Sequence, residues 1–294
     1  MRILTFGEFL YDCFDDGKVP GGAPFNLAVH LARLGAEVDF CTSVGKDADG
    51  DAALALMKKE GIGTDFCSRS ELPTGRSFVR LTDGQPQYHL QYPAAWDKIL
   101  LPEIQGEYDA FCFGTQAQRS DVSMRSLHLL LEKHPAKEVY LDLNLRGRYQ
   151  NPDVLRYSIG QATILKLSRE EASQLSIIAL PYHDGRREEF FRSVSEAFPN
   201  LKLILLTLDR EGALLFRCSD GSVTVSPKPQ AEVVSAVGAG DSFSAAFLRA
   251  YLSGESPEVC LKQGVLLADY VVTQIGAVPD YPEELRRALG IGSV

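Results

Sequence analysis

Short apolar runs rich in β-branched and aromatic residues recur along the chain, at Glu37–Val44, Tyr108–Gly114, Glu138–Leu143, Ala162–Leu167 and Leu201–Leu208. Successive positions are apolar, the pattern of parallel strands covered on both faces. Between them lie stretches whose apolar positions fall three or four apart, such as Ala48–Glu60, and these predict helices. Strands that alternate with helices predict an α/β chain: a doubly wound, mostly parallel sheet flanked by helices and joined by right-handed crossovers. Sheets of that kind bind ligands beyond the carboxyl ends of their strands.

Arg76–Tyr92 breaks this rhythm by alternating in twos around Asp83-Gly84, the mark of a hairpin. Phe78, Tyr88, Leu90 and Tyr92 are expected to form one apolar face of it. With the early strand near Phe9–Phe14, the hairpin predicts either a small separate sheet acting as a lid, from about residues 9–20 and 74–96, or an extension of the main sheet. Pattern alone weighs the two equally. A second hairpin over Ala213–Val225, turning at Ser219–Ser222, carries no polar constellation and reads as scaffold.

With 294 residues and 45% apolar content the chain has ample material for one large domain, expected to span 1–294. The net charge of −9 argues against nucleic-acid or anionic-membrane partners. No stretch reaches the roughly 18 unbroken apolar residues of a membrane helix. Met1–Glu8 meets an acid too early for a secretory signal and reads as a first strand. The six cysteines form no C-x-x-C pair and the five histidines no ligand spacing, so buried thiols in a cytoplasmic protein are expected and zinc is not.

The candidate chemistry begins at Ser235–Phe247, "SAVGAGDSFSAAF". Gly238, Ala239 and Gly240 leave the backbone bare ahead of a helix expected to start at or near Asp241, because Phe243, Phe247, Leu248 and Tyr251 follow at helical spacing. Bare amides at a helix start form an anion seat, and an acid beside it suits proton chemistry on whatever attacks a phosphate. The plain alternative is an acid favouring the helix dipole after a glycine turn. Gly45-Lys46 lacks the spacing of a P-loop, and Val19–Gly35 lacks G-x-G-x-x-G. Yet Gly21-Gly22, followed by Asn26 at a helix start, suits a hydroxyl-rich ligand. In "YLDLNLRGRY", Asp142, Asn144 and Arg146 occupy alternate positions and are expected on one strand face. Ser168 and Glu171 spell a capping box, a complete structural explanation; Lys166 beside it either reaches a phosphate or is merely solvated.

Five segments together resemble the PfkB-type, ribokinase-like carbohydrate kinases over nearly the whole chain: "GGAPFNLAVHLARLG", "DLNLR", "KLSREE", "TLDREGALL" and "GAGDSF". Within that family the chain is most similar to fructokinases, through N-L-R, K-x-S-x-E-E and the early Gly7-Glu8-x-x-x-Asp12. The resemblance implies a kinase that moves the γ-phosphoryl group of ATP to a sugar hydroxyl, fructose to fructose 6-phosphate first. Ribose, 2-keto-3-deoxygluconate or a nucleoside-like substrate is the alternative, and a non-catalytic sugar or nucleotide sensor stands behind that. It implies Asp241 as the base and Gly238, Ala239 and Gly240 as the anion hole. Asp12, Gly22, Asn26, Asn144 and Arg146 would contact the sugar. Lys166, Thr207, Asp209, Gly212 and Gly264 fall on the nucleotide side, with Glu171 reaching Mg²⁺ through water. A lid over the sugar is a family feature, and its apolar face implies a homodimer.

Two departures stand out. Ser235-Ala236-Val237 replaces the usual Asp-Thr run before GAGD, which weakens the expectation of a monovalent cation. Asp209 stands where a glycine is common.

Overall fold

The structure, a computed structural model, describes residues 1–15, 17–82, 85–101, 103–145, 151–175 and 182–292. The chain opens with β1 (Arg2–Phe6), β2 (Leu10–Phe14), β3 (Gly17–Gly21), α1 (Ala23–Arg33), β4 (Glu37–Gly45) and α2 (Ala48–Lys59). Then come β5 (Ile62–Gly63), β6 (Cys67–Ser70), β7 (Gly75–Thr82), β8 (Gln85–Leu90), β9 (Ala110–Phe113), α3 (Asp121–Lys133), β10 (Glu138–Asp142) and α4 (Pro152–Gln161). The rest is β11 (Ile164–Ser168), α5 (Arg169–Gln174), α6 (Arg187–Ala197), β12 (Leu203–Thr207), β13 (Ala213–Arg217), β14 (Val223–Val225), α7 (Ala239–Leu252), α8 (Pro257–Val272) and α9 (Glu283–Ala288).

Among the described residues the main sheet runs β14-β13-β12-β11-β10-β9-β1-β4-β5, with β6 also paired to β4. It is parallel except at β13 and β14, the expected second hairpin, which closes one edge antiparallel. The runs that read as apolar on both faces are so because the sheet divides two cores. Ile164, Leu203 and Leu205 turn to one, with α1, α7 and α8; Leu165, Leu167, Ile204 and Leu206 turn to the other, with α3, α4 and α6. Strand side chains alternate between faces, so a doubly covered strand needs both parities apolar.

The first hairpin belongs to a separate four-stranded sheet, β3-β2-β7-β8, and does not extend the main one. Its register corrects the expected apolar face. Phe78 lies opposite His89, whereas Leu90 lies opposite Ser77, so Phe78 and Leu90 point to opposite sides. Each pair across this hairpin joins an odd-numbered residue to an even-numbered one, so Phe78 shares its face with His89 and the even-numbered Leu90 lies on the other. The side chain of Tyr88 and the turn at Asp83-Gly84 lie outside the description.

The chain leaves this sheet through a buried clamp. Arg119, on the turn before α3, donates to both oxygens of Asp97 at 2.7 and 2.8 Å and to the Gln91 carbonyl at 2.6 Å. Its guanidinium also lies 3.5 Å above the Trp96 ring centre. All six cysteines are unpaired, with Cys41, Cys112 and Cys260 buried and the other three half-buried. Among the described residues no helix is long and apolar enough to cross a membrane.

Candidate active site

The carboxyl ends of β9, β10, β11 and β12 open on one side of the sheet, and the N-termini of α1 and α7 converge there. Two glycines bring α1 in. Gly22, its N-cap, has φ 107°, and a Cβ there would lie 2.5 Å from the Glu8 carbonyl oxygen. A Cβ on Gly21 would lie 2.7 Å from the Asp12 carboxylate. The pair is bare because its own backbone passes against β2 and against Glu8, in the turn between β1 and β2. One turn into α1, buried Asn26 donates its Nδ2 to Asp241 Oδ2 at 2.8 Å. Its Oδ1 meets no donor among the described residues, an open acceptor beside the carboxylate.

α7 starts at Ala239, two residues before the expected position, with Gly238 as N-cap at φ 81°. A Cβ on Gly238 would lie 2.5 Å from the Ala277 carbonyl oxygen. The Ala239 amide turns back to the Ala236 carbonyl at 3.3 Å. That leaves the Gly240 amide as a first-turn donor that helical geometry supplies with no internal acceptor. A Cβ on Gly240 would come within 3.0 Å of Lys166 Nζ, so the third small residue makes room for an ammonium.

Lys166 is not solvated. It is buried on β11, in register with Asp142 at the end of β10, and its Nζ donates to both Asp142 oxygens at 3.1 and 3.0 Å. Burial works against its charge, but Asp142, Glu171 and Asp241 outweigh that and hold its pKa above the ordinary lysine value. Burial pushes the Asp142 carboxyl up to about 6, with Lys166 pulling the other way.

The expected polar face of β10 stops at Asp142, where the strand ends. Asn144 lies beyond it in the left-handed region at φ 42°, so strand alternation no longer fixes its direction. Arg146 lies outside the described residues. The capping box at Ser168 and Glu171 forms, and it also ties down this turn: Glu171 accepts from the Ser168 amide at 2.7 Å and from the Leu145 amide at 2.8 Å.

On the far side of Lys166, Thr207 ends β12 and Asp209 follows at φ 49°, the conformation a glycine would take there freely. Gly212, at φ 91°, would set a Cβ 2.4 Å from Ser226 Oγ. Gly264 is buried in α8, where a Cβ would lie 2.8 Å from the Phe243 ring, so its bareness serves α7–α8 packing. Val225, Val234, Val237 and Ile275 are exposed around this end. Among the described residues no three His, Cys, Asp or Glu side chains gather as a metal site.

Pro24, Leu27, Phe113, Asn144, Asp241 and Ser244 line the cleft between α1 and the ends of β9 and β10. A larger cavity, about 820 Å³, opens at the other end of α7 between Lys202, Arg217 and Tyr251. Its two cations pair with Glu138 and Asp220, and it lies at the amino end of β12, the wrong end of the sheet for strand-end chemistry. Sequence patterns missed the Asp142–Lys166 contact and buried His30 on α1; neither has a spacing signal, because register and packing create both.

The family model for pfkB family carbohydrate kinases matches residues 4–284. A fructokinase of Rhizobium leguminosarum bv. trifolii is 27% identical over 265 residues, covering 84% of this chain and 78% of the relative. A ribokinase of Arabidopsis thaliana is 28% identical over 279 residues, covering 90% and 69%. An uncharacterized sugar kinase of Pyrococcus horikoshii in complex with ATP superimposes with a TM-score of 0.78 at 25% identity, covering 94% of this chain and 93% of its own. The ribokinase-like architecture, a mostly parallel sheet with a small second sheet, is common to both structures.

Proposed function

The chain belongs to the pfkB family of carbohydrate kinases, and on that footing we propose that it phosphorylates D-fructose to fructose 6-phosphate with ATP, using Asp241 as the base. The observation that carries the reading is the bond from Asn26 to Asp241 at the mouth of an amide-bare helix start. A sugar seated there finds an acceptor for one hydroxyl in Asn26 Oδ1 and, for the hydroxyl that attacks, a proton acceptor in Asp241.

The sugar oxygen forms a bond to the γ-phosphorus as the bond to the β–γ bridging oxygen breaks; the hydroxyl proton passes to Asp241 and ADP leaves. Such transfer asks for positioning and charge stabilisation more than covalent help. The Gly240 amide, with Gly238 and Ala239 shaping the turn, and the Lys166 ammonium supply that stabilisation. Asp12, Gly22, Asn26, Asn144 and Arg146 are assigned to the sugar; Thr207, Asp209, Gly212 and Gly264 border the nucleotide. The exposed valines and Ile275 offer an apolar seat for a flat base.

A directly ligated metal does not fit this donor set, since Glu171 already accepts two backbone amides and Asp142 is paired. The residues fit Mg²⁺ that arrives on the triphosphate, with Glu171 and Asp142 reaching it through water; bound there it neutralises phosphate charge. The small sheet is assigned as a lid that excludes water. Exposed Phe14 and Val19, which share one face of that sheet, support a homodimer through it, which light scattering at micromolar concentration tests. Six unpaired thiols and a need for ATP suit the cytoplasm.

Fructose rests on the fructokinase relative; the ribokinase relative at similar identity supports a pentose or related acceptor as the second reading. The test is ADP release from Mg²⁺-ATP across fructose, ribose, 2-keto-3-deoxygluconate, glucose, mannose and a nucleoside, beside Asp241→Asn. Turnover should peak on fructose, and the variant should lose about 10²–10⁴-fold in kcat. A peak on another sugar replaces the substrate, and a variant with full kcat removes the base.

A further inference from the structure

His30 sits on α1 one turn after Asn26 and is wholly buried. Its Nε2 lies 2.9 Å from the Ala277 carbonyl oxygen and its Nδ1 2.5 Å from the Tyr281 hydroxyl, with the two rings stacked 9° from parallel. A carbonyl only accepts, so Nε2 carries the proton and Nδ1 accepts from Tyr281. Ala277 is the residue on which Gly238 rests: a Cβ on Gly238 would stand 2.5 Å from the Ala277 oxygen and 2.6 Å from its α-carbon. A further turn along α1, Arg33 donates to the carbonyls of Val278 and Pro279 at 2.9 and 2.7 Å, and its other nitrogens hold Glu60. Three consecutive carbonyls, 277 to 279, are therefore gripped from one helix.

α1 thus touches the phosphoryl side of the cleft twice, directly at Asp241 through Asn26 and indirectly at Gly238 through His30. An aliphatic side chain would fill the space and bring no polar atom of its own, but it would leave the Ala277 carbonyl and the Tyr281 hydroxyl without the ring nitrogens that meet them. We propose that His30 is a positioning residue of phosphoryl transfer: by holding the Ala277 carbonyl it sets the Gly238–Asp241 turn relative to Asn26, so that acceptor and phosphoryl seat are registered to the same helix. This rests on the kinase reading of the site.

The test compares His30→Leu with His30→Gln, whose amide restores a donor to Ala277. His30→Leu should lower kcat by about 10–10²-fold at saturating ATP while the sugar KM moves less than about threefold, because a small misplacement of the reacting groups is expensive in rate. His30→Gln should recover most of that loss. Hydrogen exchange of the amides at 239–241 gives a readout independent of turnover: it should quicken at least ~10-fold in His30→Leu and stay near wild type in His30→Gln. Unchanged kcat in His30→Leu with only a lower Tm overturns the proposal, as does equal loss in both variants or unchanged exchange. Should His30→Leu fail to fold, Tyr281→Phe keeps the stacked ring and removes the hydroxyl; faster exchange at 239–241 supports the proposal and unchanged exchange overturns it. If the wild type itself releases no ADP with any sugar, the kinase reading fails while the exchange comparison still decides the part played by His30.

Discussion

Asn26 of α1 and Asp241 of α7 are 215 positions apart in sequence and meet through a 2.8 Å hydrogen bond, amide to carboxylate. The bond fixes one oxygen of the proposed base. A hydrogen bond to a charged group contributes about 1.5–3 kcal/mol, so Asn26→Ala should lower kcat/KM for the sugar by about 10–10²-fold. Part of the loss should appear in kcat, since one Asp241 oxygen then loses the donor that orients it. Steady-state kinetics checks this, and an unchanged kcat would remove Asn26 from the transition state.

Gly238 and Gly240 are bare for different reasons, and alanine separates them. Gly238→Ala sets a side chain into left-handed backbone and against the main chain of Ala277, so the fold should lose at least ~2 kcal/mol. Gly240→Ala meets only the flexible end of Lys166, within the first turn of a helix that favours alanine. Its urea midpoint should shift by less than about 1 kcal/mol equivalent while kcat falls, because the ammonium is displaced.

Arg119 and Asp97 are both almost fully buried, so neither charge has water to fall back on. Arg119→Ala should cost about 3–5 kcal/mol in urea unfolding, because it leaves a buried carboxylate uncompensated. Arg119→Lys should recover only part of this, since a point charge cannot serve both Asp97 oxygens, Gln91 and the Trp96 face at once.

Burial holds His30 neutral and lowers its pKa to about 4, while the Ala277 carbonyl acts in the opposite sense and Arg33 adds to the lowering. The unfolded chain takes up that proton near 6.5, so between about pH 6.5 and 4 it binds more protons than the folded one. The stabilisation is complete above pH 6.5 and shrinks as pH falls, by up to ~3 kcal/mol at the acid end. Asp142 acts with the other sign, because its raised pKa lets the folded chain bind more protons below about pH 6. Urea midpoints at pH 7, 5 and 4 should therefore be compared with those of His30→Gln, which keeps Asp142 and lacks the imidazole. The variant should lose less stability on acidification; equal losses would contradict the lowered value.

Local patterns carried most of the architecture. β4, β10, β11 and β12 were legible because doubly buried strands are apolar at both parities, and the two hairpins because alternation and turn residues are short-range signals. The glycine turn into α7 was legible for the same reason, since a left-handed N-cap requires a small residue. Long-range placement failed. Phe78 and Leu90 were assigned to one face because parity across a turn depends on its length, and Asn144 was assigned to a strand that ends two residues earlier. From its neighbours alone Lys166 read as either phosphate-reaching or solvated, whereas strand register sets it on Asp142. His30 carried no spacing signal at all; only the fold brings Ala277 and Tyr281 to its ring.

The three tethers on α1 bear on how this protein can be redesigned. A library aimed at a new acceptor would naturally vary the helix that carries Asn26. Every exchange there is transmitted through His30 and Arg33 to residues 277–279, and so to the turn at Gly238. Selectivity and rate would then drift together and confound the screen. Asp12 hangs from β2, in a different sheet. Diversity introduced along that ribbon would vary the proposed acceptor side while leaving the tethers of α1 in place.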